Sequence, residues 1–452
     1  MATMRDLIGQ AHGLMPDNAL KLSDWRRRSA SLLGALLVGF VAVAFAQLGD
    51  IAQGIYSGFG ADNPYMAAGW TVLVFLIVAA LTRRYAPEAR GSGIPQVIEA
   101  SRDPQGATAG RLLSLKVGFS KLILTVGALA GGASVGREGP TVQVSAALMA
   151  WVHRLFKVPI TAGVMIAGGA AGVAAAFNTP LAGIAFAIEE LAVAYEQRLA
   201  VLVMGVVMIS GLTSLSISGD YVYFGHIAAG GLPVFTVMVA APLAGLAGGL
   251  MGGLFSRLLL AMRGPDGRFS ALLSKRPMVT AVVCGAIVAG VGLLTNGATW
   301  GTGYEPTRAM LEGEPGSPWF GAAKFVATLA TAASGIPGGI FAPSLAVGAG
   351  FGEMMTVLFP SELAGKIVLL GMAGYFVGVV RAPLTAVIIL SETTGTSSMI
   401  LPLFAAALIG DWAASLVCKQ RLYHALAPDF RAKRKEPDTD GEAGEKPASP
   451  AQ

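Results

Sequence analysis

Long apolar runs, interrupted at short intervals by glycine and proline, dominate this chain. The first extends from Leu32 to Leu48. Others lie near 66–82, 112–130, 143–156, 161–177, 181–195, 199–218, 233–262, 278–295, 320–334, 340–359, 365–380, 382–391 and 399–417. They predict an all-α, polytopic membrane protein. Several runs are shorter than the ~20 residues a straight crossing needs. Many begin or end at glycine or proline within apolar sequence, as at Gly139-Pro140, Thr179-Pro180, Gly335-Ile336-Pro337 and Ala382-Pro383. Breaks of this kind free backbone N–H and C=O groups at membrane depth, where only protein or a watery cavity can satisfy them. Short, tilted and broken helices therefore point to a transport protein with its site near the midplane.

An internal repeat supports that reading. Gly136-Arg137-Glu138-Gly139-Pro140-Thr141 aligns with Gly339-Ile340-Phe341-Ala342-Pro343-Ser344, an offset of 203 residues. At the same offset, Thr179-Pro180-Leu181-Ala182-Gly183-Ile184 falls on Ala382-Pro383-Leu384-Thr385-Ala386-Val387, and Glu189 falls on Glu392. Two motifs sharing one offset mark a duplicated unit, although sequence leaves open whether the halves run parallel or inverted. The expected organisation is an N-terminal segment at 1–29, a first repeat at 30–218, a second at 219–427 and a disordered tail at 428–452.

Composition narrows the class further. Of the 452 residues only 13% are charged, against roughly a quarter in soluble proteins. That excludes a solvent-facing surface over most of the chain, and with it a secreted disulfide scaffold or a nucleic-acid binder. The two cysteines, Cys284 and Cys418, lie in apolar stretches and read as free and buried. A net charge of +5 is expected to express topology. Arg26-Arg27-Arg28 precedes the first run, and Arg431, Lys433, Arg434 and Lys435 follow the last, which places both ends in the cytoplasm. Ala44-Phe45-Ala46 resembles a signal-cleavage site, but the polar leader before it is long for a signal peptide.

Candidate chemistry sits in the breaks. In Gly136-Arg137-Glu138-Gly139-Pro140, Gly139 lets backbone approach a ligand, and Pro140 suits the first turn of a helix. A helix starting there presents unpaired N–H groups and a partial positive charge, which together suit an anion. Ionised, Glu138 can occupy that place as a tethered anion; protonated, it leaves room for a free one. A structural Arg137–Glu138 pair is the plainer alternative. Gly91-Ser92-Gly93-Ile94-Pro95 offers the uncharged Ser92 donor, and Gly339-Ile340-Phe341-Ala342-Pro343 offers backbone donors at the matching point of the second half. Glu189 and Glu190 point about 100° apart on a helix, so at most one faces a given path; a solvated helix end explains both equally well. Tyr423, with Arg421 and His424 beside it, has the plain reading of an interfacial aromatic. His153 and His226 read as membrane-boundary residues.

The three motifs at 91–95, 136–140 and 339–343, in this order and spacing, resemble the signatures of the CLC family of chloride channels and proton/chloride antiporters. The likeness extends over roughly 30–427 and includes Asn178-Thr179-Pro180-Leu181-Ala182-Gly183 and Arg381-Ala382-Pro383-Leu384. It implies an inverted-repeat helical bundle that pairs as a homodimer with one pore per subunit. By the same resemblance, Ser92, Tyr423 and the backbone amides of Ile340 and Phe341 bind chloride, with Gly139 beside them. Glu138 is the external gate and proton acceptor, and Glu190 transfers protons on the inner side. An acid at the Glu190 position favours an antiporter over a passive channel, and Ser92 with Tyr423 looks like the chloride type. Many relatives carry acids soon after the proline of the first motif, where this chain has Gln96-Val97-Ile98 before Glu99; that departure touches a supporting network on the cytoplasmic side. The tail is too short for paired nucleotide-binding CBS domains, so regulation through them is not expected.

The expectation is therefore a proton-coupled chloride antiporter of the bacterial inner membrane, with chloride and protons as substrates, membrane lipid around it and no cofactor, metal or nucleic acid. A passive chloride channel is the alternative. An intramembrane enzyme finds no nucleophile–base pair or metal-ligand cluster in the sequence.

Overall fold

The computed structural model describes residues 22–192, 197–219, 222–225, 227 and 230–431. His226, Lys433, Arg434, Lys435, the first 21 residues and the tail beyond 431 lie outside the described residues. In chain order the helices are α1 (Leu22–Asp62), α2 (Pro64–Tyr85), α3 (Ile94–Arg102), α4 (Ala107–Leu112), α5 (Leu115–Leu129), α6 (Glu138–Leu155), α7 (Ala162–Phe177), α8 (Pro180–Phe186), α9 (Gln197–Ser218), α10 (Val234–Arg263), α11 (Ser270–Lys275), α12 (Pro277–Leu294), α13 (Tyr304–Leu311), α14 (Phe320–Ser334), α15 (Phe341–Thr356), α16 (Ala364–Val380), α17 (Pro383–Thr394), α18 (Ile400–Val417) and α19 (Leu422–Leu426). Seven stretches among the described residues are long and apolar enough to cross a membrane.

Apolar periodicity finds most of these elements within a few residues. It misses α3, α4, α11, α13 and α19, all of them short; the apolar residues of α3 are buried against other helices rather than set toward lipid. It also underestimates α1. That helix has 41 residues, roughly 60 Å at 1.5 Å per residue, so polar turns at both ends continue a helix that is far longer than the hydrocarbon core.

Outward-facing side chains such as Phe40, Ile55, Phe119, Leu212, Phe235, Leu401 and Trp412 are exposed and apolar, as a lipid-facing surface requires. The interior is built largely from small residues. Gly248 and Gly252 on α10 leave no room for a Cβ against Gly374, Tyr375 and Gly378 of α16, and Gly348 and Gly352 on α15 pack equally closely on the other side of α16. Close backbone approach of this kind is how apolar helices associate without a hydrophobic driving force. Helix α16 is consequently buried along almost its whole length.

The repeat is expressed as a pseudo-twofold axis. Gly136 and Gly339, equivalent at the offset of 203, pair with each other: Gly136 N–H donates to Gly339 O at 2.8 Å, and Gly339 N–H donates back to Gly136 O at 2.7 Å. Only a twofold relation makes two equivalent residues exchange identical bonds. The caps repeat the pattern. Glu189, just beyond α8, accepts from the N–H groups of Leu384 and Thr385 at the start of α17, at 2.9 and 2.7 Å. Glu392, near the end of α17, accepts from Leu181 and Ala182 at the start of α8, at 3.4 and 3.0 Å. Each helix thus begins where its equivalent ends, so the equivalents run antiparallel and the halves are inverted. Asn178 and Arg381, one residue ahead of Thr179 and Ala382 where α8 and α17 are entered, both adopt the left-handed conformation, φ 58° and 64°.

Candidate functional site

The three glycine-rich motifs, far apart in sequence, are laced together around the axis. Gly91 N–H donates to Ile336 O at 3.2 Å and Gly338 N–H to Gly91 O at 3.1 Å, beside the Gly136–Gly339 pair. Two buried lysines hold the loops from behind. Lys121 donates to Ala89 O and Gly91 O at 2.8 and 2.5 Å. Lys324, its equivalent at the same offset, donates to Thr299 O and Gly301 O at 2.9 and 2.7 Å. Both lie in runs read only as apolar spans; the shared offset was the signal that could have singled them out.

This lacing brings together the N-termini of α3, α6 and α15, which start at Ile94, Glu138 and Phe341 without a side-chain cap. Their first-turn N–H groups have no intrahelical partners, and their dipoles add positive potential at one place. Gly93 takes φ 112°, and a Cβ on it would lie 2.7 Å from Gly139 O; the turn therefore requires glycine. Gly139 in turn lies against Ser92, whose Oγ would be 2.4 Å from an added Cβ.

Glu138 is fully buried. Its Oε2 accepts from Ala342 N–H of α15 at 3.4 Å, while Oε1 has no partner. The carboxylate thus rests at the helix terminus of the opposite half. The amide it meets is Ala342, one residue beyond the Ile340 and Phe341 pair singled out in sequence. Arg137 does not pair with Glu138; its guanidinium binds Asp50 at 2.5 Å and also Ala46 O.

Tyr423 is 1% exposed and so is no interfacial aromatic. Its ring packs 6.0 Å from that of Phe341, which meets Phe186 and Phe376 edge-on at 5.7 and 5.0 Å. The Tyr423 hydroxyl lies near Ser92 and within electrostatic reach of both Glu138 and Glu190. Neither hydroxyl makes a well-formed hydrogen bond, and both are buried. Buried polar atoms left unpaired require an explanation; two O–H donors and adjacent helix N-termini around one point suit a small monovalent anion.

The acidic neighbours separate. Glu189 is consumed as a cap of α17, also accepting from Thr385 Oγ1 at 2.8 Å. Glu190 is fully buried with neither carboxylate oxygen hydrogen-bonded. It sits in a π turn, Ala187–Leu191, that continues α8, a local widening frequent at functional sites. The solvated helix end considered for this pair is therefore excluded for Glu190. His153, in the last turn of α6, is buried, with its Nδ1 against Met149 O at 2.9 Å.

Cavities open on either side. One of about 620 Å³ is lined by Asp50, Gln53, Arg137, Tyr223 and Glu305. Another, of about 130 Å³, is lined by Ser92, Ile340 and Tyr423 and reaches Arg90, Arg263 and Asp429. Helix α2 starts two residues past Asp62 and ends at Tyr85, close before Arg90, so the cavities belong to opposite faces. The Gln96 departure is explained locally: its amide donates to Glu88 O and Arg90 O at 3.1 and 2.7 Å, tying the loop that leads into Ser92. Glu99 is held by Arg102 and Arg431 at 2.8 and 2.7 Å.

A profile described as voltage gated chloride channel matches residues 74–415. The "H(+)/Cl(-) exchange transporter ClcA" of Salmonella agona is 31% identical over 427 residues, covering 90% of this chain and 88% of that protein, and that of Salmonella typhimurium is equally similar. Among solved structures, a slow cyanobacterial Cl−/H+ antiporter superposes with a TM-score of 0.78 at 23% identity, over 89% of this chain and 97% of its own. A CLC-type fluoride/proton antiporter gives 0.72 at 19% identity, over 94% and 99%. These structures share the fold.

Proposed function

The chain belongs to the voltage-gated chloride channel family, and from that premise we propose that it exchanges chloride for protons across the membrane in which its helices lie. The observation that carries this reading is the position of Glu138: a buried carboxylate resting on the first turn of α15, beside the unpaired hydroxyls of Ser92 and Tyr423. Chloride is held there by those hydroxyls and by the backbone amides around Gly139, Ile340 and Phe341. Ionised Glu138 competes with chloride for the same positive potential. When Glu138 takes a proton from the large cavity, its charge is lost, the helix terminus no longer holds it, and chloride moves in. Release of the proton toward Glu190 restores the competing anion. One carboxylate thus couples two fluxes without a cofactor.

Glu190 is the inner proton acceptor in this scheme. A passive channel would use the same anion donors but leaves a fully buried, unpaired carboxylate without work. The 31% identical relatives named as H+/Cl− exchangers support the same choice.

Topology follows from charge. Arg83, Arg84, Arg90, Arg263 and Arg431 lie on the face of the smaller cavity, and Asp50, Asp62 and Glu305 on the other. By the positive-inside tendency the former is cytoplasmic, which puts the start of α1 and the end of the described chain in the cytoplasm. A bacterial inner membrane, a division into repeats at 30–218 and 219–427, and pairing into a homodimer through the exposed apolar helices complete the proposal. The test is Glu138→Gln in proteoliposomes: chloride flux persists and proton flux vanishes. Proton transport that survives this substitution overturns the assignment.

A further inference from the structure

Glu190 is sealed from water on its own account, so a proton must reach it through a neighbour. Among the described residues one basic side chain lies within 4 Å of its carboxylate: His424 of α19, with Nε2 3.8 Å from Oε1. The same nitrogen is 3.1 Å from the Glu190 carbonyl oxygen, which holds the ring against the π turn. The His424 side chain is 29% exposed, whereas that of Glu190 is fully buried. One imidazole is therefore partly exposed to water and also within ion-pair distance of the sealed carboxylate.

We propose that His424 is the proton relay between cytoplasmic water and Glu190. The inference rests on the exchange reading and names a residue for its inner half. Water donates a proton to the free nitrogen of neutral His424. The imidazolium then swings from the Glu190 carbonyl to hydrogen-bond distance of Oε1 and gives it the Nε2 proton: the N–H bond breaks, the O–H bond forms, and the ring is neutral with its proton on the other nitrogen. Exchange with water resets the tautomer. One proton moves inward and no electrons are transferred. Histidine suits the task because each ring nitrogen can accept or donate.

The other described groups around Glu190 are already engaged. Arg421 is bonded to Glu189 O at 3.2 Å and Arg102 to Glu99 at 2.8 Å, and a guanidinium does not give up its proton. From the elements packed on α19, Glu99 is held by two arginines, Asp429 by Arg90, and Arg263 by Ala333 O. Glu189 is committed to α17. With no acid at Gln96-Val97-Ile98, His424 is, among the described residues, the group placed to serve Glu190.

The test is His424→Gln, which retains a donor toward the Glu190 carbonyl, with His424→Asn in parallel so that a folding defect in one does not decide the result. Chloride and proton fluxes are read together in proteoliposomes. Chloride flux should stay within about twofold while proton flux falls about tenfold or more, and imidazole added to the buffer should restore it. Undiminished proton flux in both variants overturns the relay. A matched fall of both fluxes without imidazole rescue also overturns it, because that is the signature of a packing role. Wild-type protein that moves chloride but no protons would overturn the exchange reading itself, and the relay with it.

Discussion

Glu189 and Glu190 are chain neighbours with opposite surroundings, and they yield opposite expectations. Glu189 accepts three hydrogen bonds from the start of α17. Bonds to charged groups contribute about 1.5–3 kcal/mol each at most, so Glu189→Ala should lower the Tm in detergent by several degrees. Glu190→Gln replaces a buried carboxyl group that makes no hydrogen bond; the Tm should hold or rise while proton flux collapses and chloride flux persists. Unchanged coupling in Glu190→Gln would leave the inner proton path unexplained. At the anion site, Ser92→Ala and Tyr423→Phe each remove one donor. Each should weaken chloride binding by about 1 kcal/mol or a little more, roughly fivefold to tenfold by calorimetry. Unaltered affinity in both would move the site elsewhere.

Helix breaks carry the function at the scale of elements, and they were legible because glycine and proline are visible in sequence. The motif at 136–140 announces a helix start, and α6 begins at Glu138. What the pattern could not show is which helix end meets which. That Glu138 rests on Ala342, or that Glu189 rather than Glu190 is the cap, depends on pairing across the two halves, which local spacing does not encode. Short helices such as α3 and α19 escaped for the complementary reason: their apolar faces are too brief to register as runs. The turn at Gly93 offers a direct check. With φ at 112° and Gly139 O 2.7 Å from any Cβ, Gly93→Ala is strained twice. It should reduce chloride flux far more than Gly110→Ala, where an added Cβ meets nothing. Equal fluxes would mean that the α3 and α6 termini need not meet.

Across the whole molecule, the offset of 203 residues was the most informative feature of the sequence. It anticipated the duplicated unit, and the reciprocal Gly136–Gly339 bonds with the exchanged Glu189 and Glu392 caps resolve its sense as inverted. Inversion places equivalent helix N-termini on one point from both faces, between two cavities, which is where we propose the anion site. It does not make the site symmetric. Glu138 aligns with Phe341, so one half brings a carboxylate to the centre and the other brings backbone donors and an aromatic wall. That asymmetry allows a proton to be exchanged for an anion. The most direct test is proton flux into proteoliposomes that hold a chloride gradient, no proton gradient and a clamped voltage. Coupled exchange predicts uphill proton movement driven by chloride; chloride release with no proton movement would contradict it.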